Sequence, residues 1–159
     1  MPGFYAPGFD PLLILAQIAA LQATWYLTYG AWTLLFHALA GKATPNLGLH
    51  HLFDAQNFNV GWTQTAAFSL NAITGAIIIV PIVQRAKKVL DFAATVHFNH
   101  LILCLFFDAE FHSSWTFWTH MGVSLITMSL LGEYLCMRHE MQEIPLLGDI
   151  AQQLGKDAV

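Results

Sequence analysis

Four side chains that can bind metals or carry protons follow one another at helical spacing in the third apolar segment. They lie at positions i, i+3, i+7 and i+11 and are His97, His100, Cys104 and Asp108. On a helix they share one face, and ionisable groups within a membrane segment suggest a metal site or a proton path. A rise of about 1.5 Å per residue spreads them over roughly 16 Å, whereas a metal site needs three or four ligands at one point. The spacing therefore favours a contact between helices, which we call a seam, in which neutral imidazoles hydrogen-bond to carbonyls or hydroxyls of the neighbouring helices.

A second set of metal-binding side chains surrounds the short turn after this segment. His112 and His120 are close in sequence to Asp108 and Glu110, and convergence there would resemble a zinc hydrolase site. No HExxH or similar ordered motif supports it. These groups leave two alternatives to a non-catalytic membrane protein. One is an intramembrane metal-dependent enzyme, and the other is a small proton-coupled transporter that uses the His97 and His100 stripe, although no internal repeat typical of transporters is present.

The elements that position these groups follow from composition. Only 10% of the 159 residues are charged and 56% are hydrophobic, whereas a soluble domain has about 25% charged residues. Uncharged runs long enough to cross a bilayer predict an all-α, polytopic membrane protein with four transmembrane helices, at about 12–40, 62–83, 91–108 and 115–137. Residues 1–11 form a short lead and 138–159 a tail. No basic patch of the kind that binds nucleic acid is present.

The first apolar segment carries a polar stripe along one face and an aromatic cluster in its second half. Gln17, Thr24 and Thr28 recur on one helical face, which we expect to turn toward other helices rather than lipid. An aromatic cluster follows in the second half of the segment, where a belt at the membrane interface would end the span early. It comprises Trp25, Tyr26, Tyr29 and Trp32.

The cations predict an orientation. Arg85, Lys87 and Lys88 lie in the turn between the second and third segments, and Arg138 leaves the membrane on the same side. Lys42 is on the other side. The positive-inside bias places that turn and both termini in the cytosol.

The stretch 132–146 marks the change from apolar segment to charged tail. Glu133 lies about one turn inside the membrane, where a carboxylate is costly unless it is paired, and we expect the basic turn to supply its partner. Cys136 is either a juxtamembrane lipidation site or an ordinary buried thiol. Together, the turn and this exit predict a cytosolic partner-binding surface comprising Arg85, Lys87, Lys88, Asp91, Glu133, Arg138, Glu140, Glu143, Ile144, Pro145 and Leu146.

The same stretch resembles a known family. GEYLCMR at 132–138, followed by Glu140 and by EIPL at 143–146, is similar to the closing signature of the Sys-one family of Golgi integral membrane proteins. DPLLI at 10–14, FDA at 53–55, and LDF at 90–92 with TVHF at 95–98 resemble further family motifs in the same order.

The resemblance implies a function without catalysis, cofactor or metal. It implies a multi-pass Golgi receptor that recruits an Arf-like small GTPase, the Arf-related protein, to the trans-Golgi network, partly through the acetylated N-terminus of the GTPase. Such recruitment supports vesicle-mediated protein transport between endosome, Golgi and cell surface. A cytosolic partner requires a cytosolic surface, which the predicted topology supplies.

Overall fold

The computed structural model describes residues 11–41, 62–108 and 115–157, with side chains to Met141 except that of Asp108. These residues form four long α-helices without strands: α1 (Pro11–Leu39), α2 (Trp62–Val83), α3 (Val89–Asp108) and α4 (Trp115–Asp157). A short 3-10 helix, Ala86–Lys88, leads into α3. The predicted all-α class is confirmed, and the predicted segments agree with the observed helices to within two residues except at the end of α4.

Three of the described helical segments are long and apolar enough to cross a membrane. They are Pro11–Leu39, Trp62–Val83 and Ala86–Phe107. The α4 segment does not reach the same threshold, so the fourth crossing stays a prediction. By its backbone, α4 continues without a break through the predicted tail to Asp157. Its 43 residues correspond to about 64 Å at 1.5 Å per residue, roughly twice the hydrocarbon thickness of a bilayer.

The predicted polar stripe joins α1 to α2 through Gln17 and Thr28, whereas the Thr24 hydroxyl bonds to the Ala20 and Leu21 carbonyls of its own helix. The Gln17 side-chain amide donates to the Ile82 carbonyl at 2.9 Å, and the Thr28 hydroxyl lies 2.6 Å from Asn71 Oδ1. Asn71, which is fully buried, donates to the Trp25 carbonyl at 3.2 Å. The start of α1 thus lies beside the end of α2, and the two helices are antiparallel.

The predicted aromatic belt is wrong for two of its four members. Trp25 and Tyr29 are completely buried, and both rings pack against Phe68 at centroid distances of 5.7 and 5.5 Å. The other two aromatics are half-buried and hydrogen-bonded, Tyr26 to His100 and Trp32 to Thr74. Trp25 and Tyr29 lie on the face of α1 that packs into the bundle, with Leu21, Thr33 and His37, where a large aromatic ring buries much apolar area.

Small residues let α4 approach α2 closely. A β-carbon built on Gly132 would lie 2.9 Å from Val89 Cγ1 and 3.0 Å from Ile79 Cγ2. At Gly75 it would lie 3.1 Å from Met128 Sδ. Membrane helices use such positions to gain van der Waals contact where no hydrophobic driving force acts between them. These contacts place α4 parallel to α2.

Candidate functional site

The turn between α2 and α3 and the exit of α4 lie at one end of the bundle, which we call the turn end. Their contact is a hydrogen bond of 3.0 Å from the Ala86 backbone N–H to Glu140 Oε1. The start of α1 lies at the same end, because Ile14 and Ile18 line a groove with Lys88 and Asp91. The turn end therefore gathers groups from every long helix.

Local chemistry explains the shape of the turn. Proline cannot donate a backbone hydrogen bond, and α2 ends two residues after Pro81. Gln84 then adopts φ 55°, the left-handed conformation that commonly terminates helices. Arg85 is extended and has no side-chain cap on the 3-10 helix that follows. The Glu140 carboxylate fills that role from another helix, because a helix N-terminus offers unpaired N–H groups and a partial positive charge.

The structure exposes most of the predicted partner-binding side chains it describes. Arg85, Lys87, Lys88, Asp91 and Arg138 are all exposed. They come from two separate parts of the chain, residues 85–91 and the exit of α4, and share the turn end. Arg138 and the basic turn lie at the same end of the bundle, whereas the membrane side that they share and its cytosolic orientation stay predictions.

The expected pairing of Glu133 with the basic turn is wrong for the part of the chain that is described. Glu133 is half-buried and forms no ion pair there with Arg85, Lys87 or Lys88. Glu140, seven residues and about 10 Å further along the helix axis, reaches the turn instead. The position of the carboxylate along α4 thus decides which acid contacts the turn.

Two further predictions concern the α4 exit. Cys136 is only 1% exposed, which matches the interpretation as an ordinary buried thiol, since lipidation would require its sulfur to leave the bundle. The side chains of Glu143, Ile144, Pro145 and Leu146 lie outside the described residues, and only their helical backbone is established.

The histidine stripe forms a seam rather than a cluster. His97 Nδ1 donates to the Ala93 carbonyl at 2.9 Å, so Nε2 of the neutral ring accepts from the Ser124 hydroxyl at 2.9 Å. His100 is fully buried, with Nδ1 3.2 Å from the Tyr26 hydroxyl and Nε2 3.6 Å from Cys104 Sγ. The bonds link α3 to α4 and α1, as the seam interpretation predicts.

The structure gives no support to a metal centre within the part it describes. There, no group of three or more His, Cys, Asp or Glu side chains is placed to hold an ion. His120 bonds to the Thr116 carbonyl of its own helix at 2.8 Å. His112, Glu110 and the side chain of Asp108 lie outside the described residues.

The structure also reveals a groove that the sequence reasoning did not identify. It lies between α2 and α4 at the turn end, has a volume of about 560 Å³, and is lined by Ile77, Val80, Pro81, Leu135, Arg138 and His139. Pro81 and Arg138 are far apart in the sequence, and the parallel packing of α2 and α4 brings them together in one groove.

Comparison with known proteins gives a consistent result. Residues 4–146 match a family described as integral membrane protein S linking to the trans Golgi network, SYS1. The chain is 35% identical to a protein SYS1 homolog from Nematostella vectensis, over 99% of this chain and 98% of that protein. It is 33% identical to a protein SYS1 homolog from Dictyostelium discoideum, over 94% of this chain and 62% of that relative's length. Neither name states a catalytic activity. No solved structure matches the chain.

Proposed function

This chain belongs to the SYS1 family of integral membrane proteins, and from that premise we propose that it is a receptor for an Arf-like small GTPase on trans-Golgi membranes. In this role it recruits the Arf-related GTPase from the cytosol and supports vesicle-mediated transport between endosome, Golgi and cell surface. The family description supports the Golgi location, since it names a link to the trans Golgi network.

The observation that carries the proposal is the joint exposure of charges at the turn end. Arg85, Lys87 and Lys88 face outward beside Arg138 and Asp91, and the Glu140 bond fixes the turn to α4. A rigid, cation-rich surface at one membrane face can steer a complementary charged partner and fix its orientation. The backbone of α4 continues as a helix beyond Met141.

The structure identifies suitable residues for a test. Glu140 supports the turn, so its substitution would alter the surface indirectly. Lys87 and Lys88 are exposed, and their replacement leaves the Ala86 bond intact. We expect the double variant Lys87→Glu, Lys88→Glu to weaken GTPase binding by at least roughly tenfold, because juxtaposed like charges cost several kcal/mol.

The measurement is co-purification of the nucleotide-locked GTPase with the full-length protein, with and without N-terminal acetylation of the GTPase. Membrane fractionation reports whether the receptor itself stays on Golgi membranes. Lys42→Glu is the control for a single charge reversal outside this surface, because Lys42 follows the C-terminal end of α1 whereas the start of α1 lies at the turn end. Unchanged GTPase binding by a correctly localised double variant would refute docking at this surface.

A further inference from the structure

The groove between α2 and α4 is apolar along most of its length. Ile77, Val80 and Leu135 form its walls, and Ile77 is 56% exposed. The same face of α2 stays apolar one turn earlier, where Ile73 is 41% exposed. The α2 wall belongs to a helix that is apolar enough to cross the membrane. A groove on this outer face opens toward lipid, so its occupant comes from the bilayer.

The head of the groove contains one permanent cation, Arg138. Arg138 and His139 line it where α4 leaves the bundle, and every described side chain from Met137 to Met141 is exposed. Arg138 forms no ion pair within the described residues, and Glu140 directs Oε1 to the Ala86 N–H. A guanidinium presents five donors in a fork that matches phosphate oxygens.

The size of the groove suits a small molecule. Ile77 and Pro81, one turn apart on α2, both line it. The groove thus combines an apolar wall with a guanidinium at its head, and its volume of about 560 Å³ lies within the range of about 300–1,000 Å³ typical of small-molecule sites.

We propose that this groove binds a phospholipid whose headgroup carries an exposed phosphate. The acyl chain lies against Ile77, Val80 and Leu135, and the headgroup phosphate binds Arg138. Basic pockets between membrane helices at a membrane face suit such lipids. The proposal depends on the membrane location of the chain and not on recruitment of a GTPase.

Native mass spectrometry of the purified full-length protein in detergent tests the proposal. The probes are a phosphatidylinositol phosphate and a phosphatidylcholine with the same acyl chains, offered at equal concentration. We expect preferential retention of the phosphoinositide, and Arg138→Gln should lower that retention roughly fivefold, the effect of one cation near a membrane surface. Lys88→Gln is the matched control, because Lys88 is equally an exposed cation at the turn end but lines the groove between α1 and α3.

A second variant tests the apolar wall. Ile77→Trp places a bulky side chain across the groove at an exposed position, so the fold should tolerate it, and it should lower retention while Arg138 is intact. An unchanged thermal midpoint establishes that each variant is folded. Equal losses in the Arg138 and Lys88 variants would overturn the proposal in favour of general charge attraction. So would equal retention of phosphatidylcholine, or tight binding of a soluble inositol phosphate, which would identify a free-phosphate site.

Discussion

Glu140 is one residue that connects two distant parts of the chain. Its carboxylate accepts a hydrogen bond from Ala86, 54 positions earlier. The same stretch of sequence also contains the acids Glu133 and Glu143. The position of α4 relative to the turn decides that Glu140 is the one that contacts Ala86. We therefore interpret Glu140 as a residue that holds the candidate docking surface in shape, rather than as a free contact residue.

Removal of this carboxylate should loosen the turn without unfolding the bundle. We expect Glu140→Ala to accelerate hydrogen exchange of the Ala86 amide and to lower the free energy of unfolding by about 1 kcal/mol, the net contribution of a typical hydrogen bond. Hydrogen exchange with mass spectrometry on the purified protein measures the first effect. Glu133→Ala is the control, since that carboxylate is on the same helix but does not bond to the turn. Equal protection of the turn in both variants would contradict the assigned role.

At the scale of elements, the contact between α2 and α4 depends on glycine. A β-carbon at Gly132 would lie within about 3 Å of two buried side chains, whereas one at Gly122, ten residues earlier on α4, would meet nothing within 4 Å. Two glycines on one helix therefore have opposite packing environments. Alanine is more favourable than glycine in a helix by about 1 kcal/mol, so only crowding can make the substitution harmful.

This pair gives a prediction with opposite signs. Gly122→Ala should raise the thermal midpoint of the purified protein, because it improves helix propensity in open space. Gly132→Ala should lower it, because overpacking costs about 1–3 kcal/mol. After the gain in helix propensity of about 1 kcal/mol is subtracted, the net loss is up to about 2 kcal/mol. A thermal unfolding series in detergent compares the two. Similar stabilisation by both substitutions would show that α4 does not approach Val89 of α3 and Ile79 of α2 as closely as the structure indicates.

At the scale of the whole molecule, the number of crossings determines where the proposed surface lies. Three described segments are apolar and long enough to span a membrane. Successive helices run in opposite directions in the structure. The turn end therefore contains the start of α1 and the point where α4 leaves the bundle toward its C-terminal end. If α4 also crosses, both termini share one side with the basic turn, as the positive-inside bias predicts.

Glycosylation mapping tests this topology, because the natural sequence contains no Asn-x-Ser/Thr acceptor. We expect an acceptor inserted within residues 42–61 to be glycosylated, and one appended after Val159 to remain unmodified. An acceptor placed before Met1 should also stay unmodified and serves as the control for the cytosolic side. Glycosylation of both the loop and the C-terminal acceptor would mean that α4 does not cross.

Much of this architecture follows from local sequence. Length and hydropathy establish the helices, because a 20-residue uncharged run has few alternatives to a helix in a bilayer. The i, i+4 and i+7 spacing identified the stripe on α1 that contacts α2, including Gln17 and Thr28. Helical spacing also identified the seam that His97 and His100 form. These features depend on neighbours along one helix, and a sequence records such neighbours directly.

Other features depend on how helices pack, and the sequence alone did not determine them. The interfacial assignment of Trp25 and Tyr29 was wrong, since aromatic residues suit both a membrane interface and a bundle core. The groove formed by Pro81 and Arg138 exists only because α2 and α4 run parallel in one register. The same register takes Glu140 to Ala86 and leaves Glu133 without the predicted ion pair. Sequence by itself therefore determined the membrane class, the helices and the family, whereas tertiary packing decided which charges meet, because their separation along the chain does not specify their distance in space.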